Sequence, residues 1–244
     1  MRRLFWPLLF LVAVAFASHQ WRAQGNVVWK RIAPGVEMRR LDAYEHGLRV
    51  PVVAFRVAPS RIHIGVGESL SVQQWRKNTN ALVAVNGGFF DVADHPLGLR
   101  VSDGNRRSSM HGTRWSVFRI KAGQAAILPA AEVAAALKPG VDYQQAVQCG
   151  PVLVKSGRVG TFKTQWARRT GIGVQEDGRV VLAVSEGQLL FETWAQLWAS
   201  RDGLRCRDAL NLDGGSSTQL SLRAGIHKLE MTSSRTVPDV VLIK

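Results

Sequence analysis

The chain has 244 residues, 46% of them hydrophobic, which suits one globular domain with a full-sized core. Its formal net charge of +14 comes mainly from scattered arginines; beyond a solvated surface, such a charge fits an anionic partner such as a phosphorylated glycan, an acidic polysaccharide or a membrane surface. Nucleic acid is excluded as the partner, because no recognised nucleic-acid module accompanies that charge, and a zinc site is excluded by the lack of Cys/His ligand spacing.

The first twenty residues, MRRLFWPLLFLVAVAFASHQ, have the layout of a secretory signal. Arg2 and Arg3 form a basic start, Leu4 to Ala17 is an apolar run, and Ala15-Phe16-Ala17 supplies small residues for cleavage. The reading is a signal over 1–17 and one domain over 18–244, exported to the periplasm or secreted. The alternative is an uncleaved anchor, the one route by which this chain would touch a membrane. In an exported protein the two cysteines, Cys149 and Cys206, are either a disulfide pair or two inert core thiols.

Beyond residue 26 the pattern is dominated by short β-rich runs at 27–41, 48–58, 62–66, 82–86, 115–121, 151–155, 170–175, 179–185, 209–213, 218–223 and 239–243. Gly104, Gly123, Gly157 and Gly178 punctuate them as hairpin turns require. Three helices interrupt the strands. The first begins at Ser71, with Gln74 at capping-box spacing; the second spans Ala130 to Leu137 and stops at Pro139-Gly140. The third starts at Thr193 with Gln196 three residues on, carries Trp194, Leu197 and Trp198, and ends near Gly203. The fold class is therefore α+β, a mostly antiparallel or mixed sheet core with a few covering helices in a single domain.

Two stretches break their own strands. ALVAVNGGFFD (81–91) and ALNLDGGSSTQLSL (209–222) each run from an apolar strand into a polar residue and two glycines. Glycine weakens a strand interior, and an unpaired buried carboxylate is costly, so such an interruption needs a reason. Asn-Gly and Asp-Gly are hairpin signals on their own. Two of them, each delivered by a buried strand and one followed by Ser216-Ser217-Thr218, point instead to one shared site faced by Asn86 and Asp213. Arg168 and Arg169, which introduce the run Gly171 to Val174, are either surface cations or supply one arginine turned inward toward an anion.

The ordered set NGGFF (86–90), PLGL with SDG (96–104), QCGP (148–151), RRTGIG (168–173), SEG (185–187), ALNLDGGSST (209–218) and SRTVPDVVLI (234–243) resembles the phosphodiester glycosidase family, whose bacterial members include secreted proteins associated with exopolysaccharide. The resemblance spans roughly residues 80–244. It implies a pocket formed by Asn86, Gly87, Gly88, Gln148, Gly150, Pro151, Arg169, Asp213, Gly214, Gly215 and Ser217, with Arg235 preceding the last strand. Ser216 stands where the family carries a third glycine, and Glu186-Gly187 where it carries Asp-Gly.

The chemistry implied is hydrolysis of a sugar 1-phosphodiester, with a phosphorylated sugar or glycan as substrate and no cofactor. Ordinary glycosidases need an acid to protonate a poor alkoxide leaving group. Here the leaving group is a phosphate monoester whose remaining proton has a pKa of about 6, so arginine can replace much of that acid. Asp213 is then base or nucleophile, Arg169 the phosphate clamp and Asn86 an orienting group; Glu186 and Asp91 are candidates for a second carboxylate. The Gly214 and Gly215 amides and the Ser216, Ser217 and Thr218 hydroxyls are candidate ligands for sugar or phosphate oxygens. Two rivals stay open. One is a metal-dependent phosphodiesterase ligating its ion through Asp213, Asp91 and Asn86; the other is a non-catalytic module that binds anionic polysaccharide.

Overall fold

The structure, a computed structural model, describes residues 28–112, 114–136 and 143–244. The signal reading of residues 1–17 lies outside them. Strands β1 (Lys30–Ala33), β2 (Val36–Glu45) and β3 (Leu48–Val57) form a meander, so the single run expected over 27–41 is two strands. Pro34-Gly35 folds the chain back, with Gly35 at φ +68. Next come β4 (Ile62–Leu70), helix α1 (Val72–Thr79) and β5 (Val83–Asn86), then two short strands, β6 (Arg100–Ser102) and β7 (Asn105–Ser108). The middle of the chain carries β8 (Ser116–Lys121), β9 (Gln124–Pro129), helix α2 (Ala130–Ala136), β10 (Gln145–Cys149), β11 (Val152–Lys155) and β12 (Arg158–Val159). The remainder is β13 (Ala167–Gln175), β14 (Val180–Leu189), helix α3 (Phe191–Ala199), β15 (Cys206–Asn211), β16 (Leu220–Ala224), β17 (His227–Met231) and β18 (Val237–Ile243).

The strands form an eight-stranded sheet, β1-β2-β3-β14-β13-β15-β11-β12, and two five-stranded sheets, β7-β6-β10-β8-β9 and β17-β16-β5-β18-β4. Every ladder among the described residues is antiparallel. All three sheets send side chains into one core: Phe55, Leu182 and Ile172 from the first, Phe118 and Val147 from the second, Val85 and Val241 from the third.

Strand alternation sorts the eight-stranded sheet into two faces. On β14, Val180, Leu182 and Val184 enter the common core, while Val181 and Ala183 face the layer built on α3. Gly171 and Gly173 of β13 let that helix come close, since a Cβ on either would lie 2.8 Å from the Trp198 indole. The glycines of the GIG run are thus a seat for a tryptophan.

Helix α1 has the capping box its sequence announces, with Gln74 N donating to Ser71 Oγ at 3.3 Å and Ser71 N donating to Gln74 Oε1 at 3.0 Å. Helix α2 starts at the expected Ala130, and its expected end at Leu137 before Pro139-Gly140 lies outside the described residues. Helix α3 begins two residues before the expected Thr193 and has no side-chain cap of its own. Leu190 N at its start donates instead to Glu45 Oε2 at 2.9 Å, a partner 145 residues away. Both cysteines are buried and free. Cys149 belongs to the common core and Cys206 to the α3 layer. Of the two readings, the structure shows two core thiols; burial pushes the Cys149 thiol up to about 12 and the Cys206 thiol upward as well.

Candidate active site

The two glycine turns meet. Asp213 N donates to Gly87 O at 3.0 Å, and Asn86 Nδ2 donates to Asp213 O at 2.7 Å. Asn86 Oδ1 accepts from Thr170 Oγ1 at 2.7 Å and from Gln219 N at 3.2 Å. These bonds engage both ends of the amide, and the side chain is completely buried. Asn86 therefore stands behind the cleft and does not face it as the sequence reading has it. It fixes the backbone that presents Asp213.

The glycines of the first turn wrap a buried ion pair. Arg100 Nη2 and Asp239 Oδ2 lie 3.1 Å apart, with the side chains 0% and 1% exposed. Asp239 Oδ1 accepts from Gly88 N at 2.7 Å, and Arg100 donates to Phe89 O and Gln148 O, each at 3.0 Å. A Cβ on Gly87 would overlap the Asp239 carboxylate, and one on Gly88 the Arg100 guanidinium. Burial raises the Asp239 carboxyl above its ordinary range, although Arg100 and the Gly88 amide pull it down. Gly87 and Gly88 thus serve the pair rather than a ligand.

In front of this frame opens a cavity of about 840 Å³. Its lining includes Asp213, Gly214 and Gly215 from the second turn, Gly150, Pro151 and Asn211, and Arg169 with Phe191. Asp213 is the single carboxylate among the lining residues. Its Oδ1 accepts from Gly214 N at 2.8 Å, and the nearby Ser217 hydroxyl also favours its charged form. Burial outweighs both and raises its pKa. Gly214 is required on steric grounds, because a Cβ there would lie 2.8 Å from Arg168 O, and Gly215 sits at φ +62.

Arg169 is 2% exposed, yet among the described residues no carboxylate lies within salt-bridge distance of it. Its Nε donates to Leu189 O at 3.0 Å, its Nη2 to Gln165 O, and its guanidinium lies 3.6 Å over the Phe191 ring. Burial brings its pKa down to about 10, which leaves it protonated at neutral pH. The guanidinium is thus held charged on the cavity wall, with Glu45, the carboxylate that acts on it, beyond salt-bridge distance.

Other sequence candidates are placed elsewhere. Gln148 is completely buried behind the wall: its Oε1 accepts from Leu99 N at 3.0 Å and His111 N at 2.9 Å, and its Nε2 donates to His111 O at 2.9 Å. Glu186 is exposed on β14 and does not line the cavity, so it is no second carboxylate there. Asp91 is taken up by its own turn, accepting from Ala93 N and His95 N at 2.9 Å. Arg235 pairs with Asp94 at 3.1 Å on the surface. Ser216 is exposed, Thr218 is buried, and neither lines the cavity. Asp213, Asp91 and Asn86 do not converge as a ligand set, and no cluster of three metal-binding side chains occurs among the described residues.

Several lining residues carried no sequence signal. Trp115 stacks between Phe89 and His111, with ring centroids 5.0 and 4.9 Å away. Arg114 and Lys163 add two exposed cations. These residues lie on connections between strands, where no period marks them; the MHGTRW stretch, with its polar and aromatic mixture between two strands, was the available hint.

The antiparallel α+β scaffold thus brings one carboxylate and one buried guanidinium to a common cavity, an arrangement compatible with a hydrolase site. Residues 79–244 match the family model for phosphodiester glycosidase, and the chain belongs to that family. Among solved structures, the zebrafish N-acetylglucosamine-1-phosphodiester alpha-N-acetylglucosaminidase catalytic domain, auto-inhibited by its pro-peptide, is similar with a TM-score of 0.71 at 18% identity. That match covers 91% of this chain and 87% of the other. A hypothetical protein from Synechocystis is similar at TM-score 0.62 and 17% identity, over 87% of this chain and 63% of its own. A Burkholderia pseudomallei protein named as exported follows at TM-score 0.58 and 15% identity, over 80% and 74%. No curated protein matches the sequence significantly. Among the described residues no helix is long and apolar enough to cross a membrane.

Proposed function

We propose that this chain is an exported glycosidase that hydrolyses the glycosyl–phosphate bond of a sugar 1-phosphodiester in cell-surface or exopolysaccharide metabolism. The observation that carries the reading is that one cavity is lined by a single carboxylate, the half-buried Asp213, and by the buried Arg169, which has no salt-bridge partner among the described residues. The aromatic wall of Phe89, Trp115 and His111 takes the apolar face of the sugar, and Arg169 takes the phosphate.

One carboxylate is enough for a single displacement. Asp213 accepts a proton from water as the water oxygen bonds to the anomeric carbon. The bond from that carbon to the phosphate oxygen breaks, and its electron pair leaves on the phosphate. Charge on that group grows in the transition state, so Arg169 binds the transition state more strongly than the substrate. The raised pKa of Asp213 makes it a stronger base than a solvated aspartate. The N-terminal segment, Arg2 and Arg3 followed by the apolar run to Ala17, supports export.

The test is a panel of sugar 1-phosphodiesters, starting with N-acetylglucosamine 1-phosphodiesters as the zebrafish enzyme's name suggests, with released sugar and its anomeric form read by NMR. Release of sugar with inverted configuration is expected. Release of a free hydroxyl aglycone and a sugar phosphate would instead indicate phosphodiesterase chemistry, and binding without release a lectin-like module.

A further inference from the structure

The cavity carries more positive charge than one phosphodiester can balance. Its lining side chains include three cations, Arg114, Lys163 and Arg169, against Asp213 as the one carboxylate. A phosphodiester brings a single negative charge, which Arg169 at the buried end is placed to meet. With Asp213 also counted, one positive charge is left over, and Arg114 and Lys163 are the side chains that carry it. Both are exposed, and among the described residues neither has a carboxylate within salt-bridge distance.

Their anchorage distinguishes them from cations on a free surface. Lys163 follows Phe162, which stacks on Phe191 with centroids 5.6 Å apart, and Phe191 is the ring beneath Arg169. Arg169 also donates to Gln165 O, so the guanidinium holds the segment from which Lys163 projects. Arg114 adjoins Trp115, which is wedged between Phe89 and His111, and the completely buried Gln148 ties down the His111 backbone. The two exposed cations therefore project from supported segments into the cavity that Arg169 also lines.

We infer that the substrate is polyanionic: beyond the scissile phosphodiester at Asp213 and Arg169, a second anionic group of the same molecule is held at the cavity mouth by Arg114 and Lys163. A sugar-phosphate chain with repeating phosphodiesters has this chemistry, as does a glycan with a phosphate or uronate on the neighbouring residue. The inference rests on the glycosidase reading and names the substrate class of that same site.

Its test compares the protein with the R114Q/K163Q variant in two arms. In the first, kcat/KM is measured for a one-unit sugar 1-phosphodiester and for the two-unit sugar-phosphate oligomer of the same sugar, at low and high salt. The two-unit substrate should be preferred by about tenfold at low salt, the combined size expected of two solvent-exposed ion pairs, and the preference should shrink in high salt and in the variant. In the second arm, calorimetry with inorganic tripolyphosphate and orthophosphate needs no turnover. Tripolyphosphate should bind the protein about tenfold more tightly than orthophosphate, with the contrast lost in the variant. Where turnover is seen, the kcat/KM ratio decides: an equal ratio in protein and variant overturns the inference and leaves the glycosidase reading standing. Where no member of the panel is turned over, the glycosidase reading falls, and the calorimetric contrast alone supports or overturns the second anion site.

Discussion

Replacing Arg100 with Met removes one charge from the most deeply buried ion pair in the protein while keeping most of the side-chain volume. Asp239, 1% exposed, is then a carboxylate with the Gly88 amide as its remaining partner, and the Phe89 and Gln148 carbonyls each lose the bond from Arg100, Phe89 O keeping that from Leu97 N. Breaking a buried pair from one side costs about 3–5 kcal/mol. For a chain of this size that corresponds to a fall in Tm of roughly 6–20 °C. The pH dependence has a definite sign. Burial already holds the Asp239 carboxyl above its ordinary range, and loss of Arg100 moves it higher. The native state then binds the proton more tightly than the unfolded state does, so the variant loses stability as pH rises and recovers it on acidification. Adding Asp239→Asn removes the orphaned charge and should restore much of the loss at neutral pH. Thermal melts of wild type, R100M and R100M/D239N at several pH values are the assay. An R100M protein that melts within about 3 °C of wild type at pH 7, or one that Asp239→Asn does not rescue, would refute this account of the pair.

The catalytic assignments make their own predictions. Asp213→Asn should lower turnover by about two to four orders of magnitude while still binding a phosphodiester, because the shape remains and the base is gone. Since the folded pKa of Asp213 lies above 3.8, its ionisation costs stability as pH rises through that window; the Asn variant should therefore melt higher than wild type at pH 7, with the gap closing below pH 3.8. The same raised pKa puts the acid limb of the kcat/KM profile above 3.8, and a limb at or below that value would remove Asp213 as the base. Arg169→Ala should weaken binding and also slow bond cleavage, a loss in kcat as well as in KM measured on the same substrate. Gln148→Ala frees the His111 segment behind the aromatic wall; a rise in KM is expected, with Tm lowered by several degrees. Cys149 and Cys206, buried and with raised pKa, should resist alkylation at pH 8 until the protein is unfolded, as mass spectrometry of labelled protein would show.

The glycine turns could be read from the sequence because an apolar strand that ends in Asn-Gly-Gly or Asp-Gly-Gly breaks a local rule, and local rules are visible one residue at a time. What the glycines are for was not visible. Gly87 and Gly88 yield space to Arg100 and Asp239, two residues that a linear reading places in separate strands more than a hundred positions apart. Asn86 carries the same polar character as a ligand-facing residue, and only its partners Thr170, Asp213 and Gln219 reveal that it faces inward. The start of α3 was misplaced for a related reason, since its first amide is met by Glu45 across the molecule and not by a neighbouring hydroxyl. Strands β6, β7, β10, β12 and β17 are short or rich in polar residues and lack an apolar run to announce them. The cations at the cavity mouth sit on connections, where composition alone cannot separate a ligand from a solvated side chain.

The position of the early strands bears on how the polypeptide acquires its shape. Residues 30–70 precede the segment that matches the family, yet β3 lies inside the eight-stranded sheet against β14, and β4 covers one side of β18. Val52 waits for Ser185, and Ile62 for Ile243. Pairings that distant place the protein among slow folders, on the scale of milliseconds to seconds: the β1–β3 meander can form locally, but its docking onto β14 awaits the last third of the chain. A fragment trimmed to begin at residue 79 would leave β14 and β18 each with an unsatisfied apolar edge, an invitation to pair with another copy. The piece of sequence that identifies the protein is thus smaller than the piece that can fold.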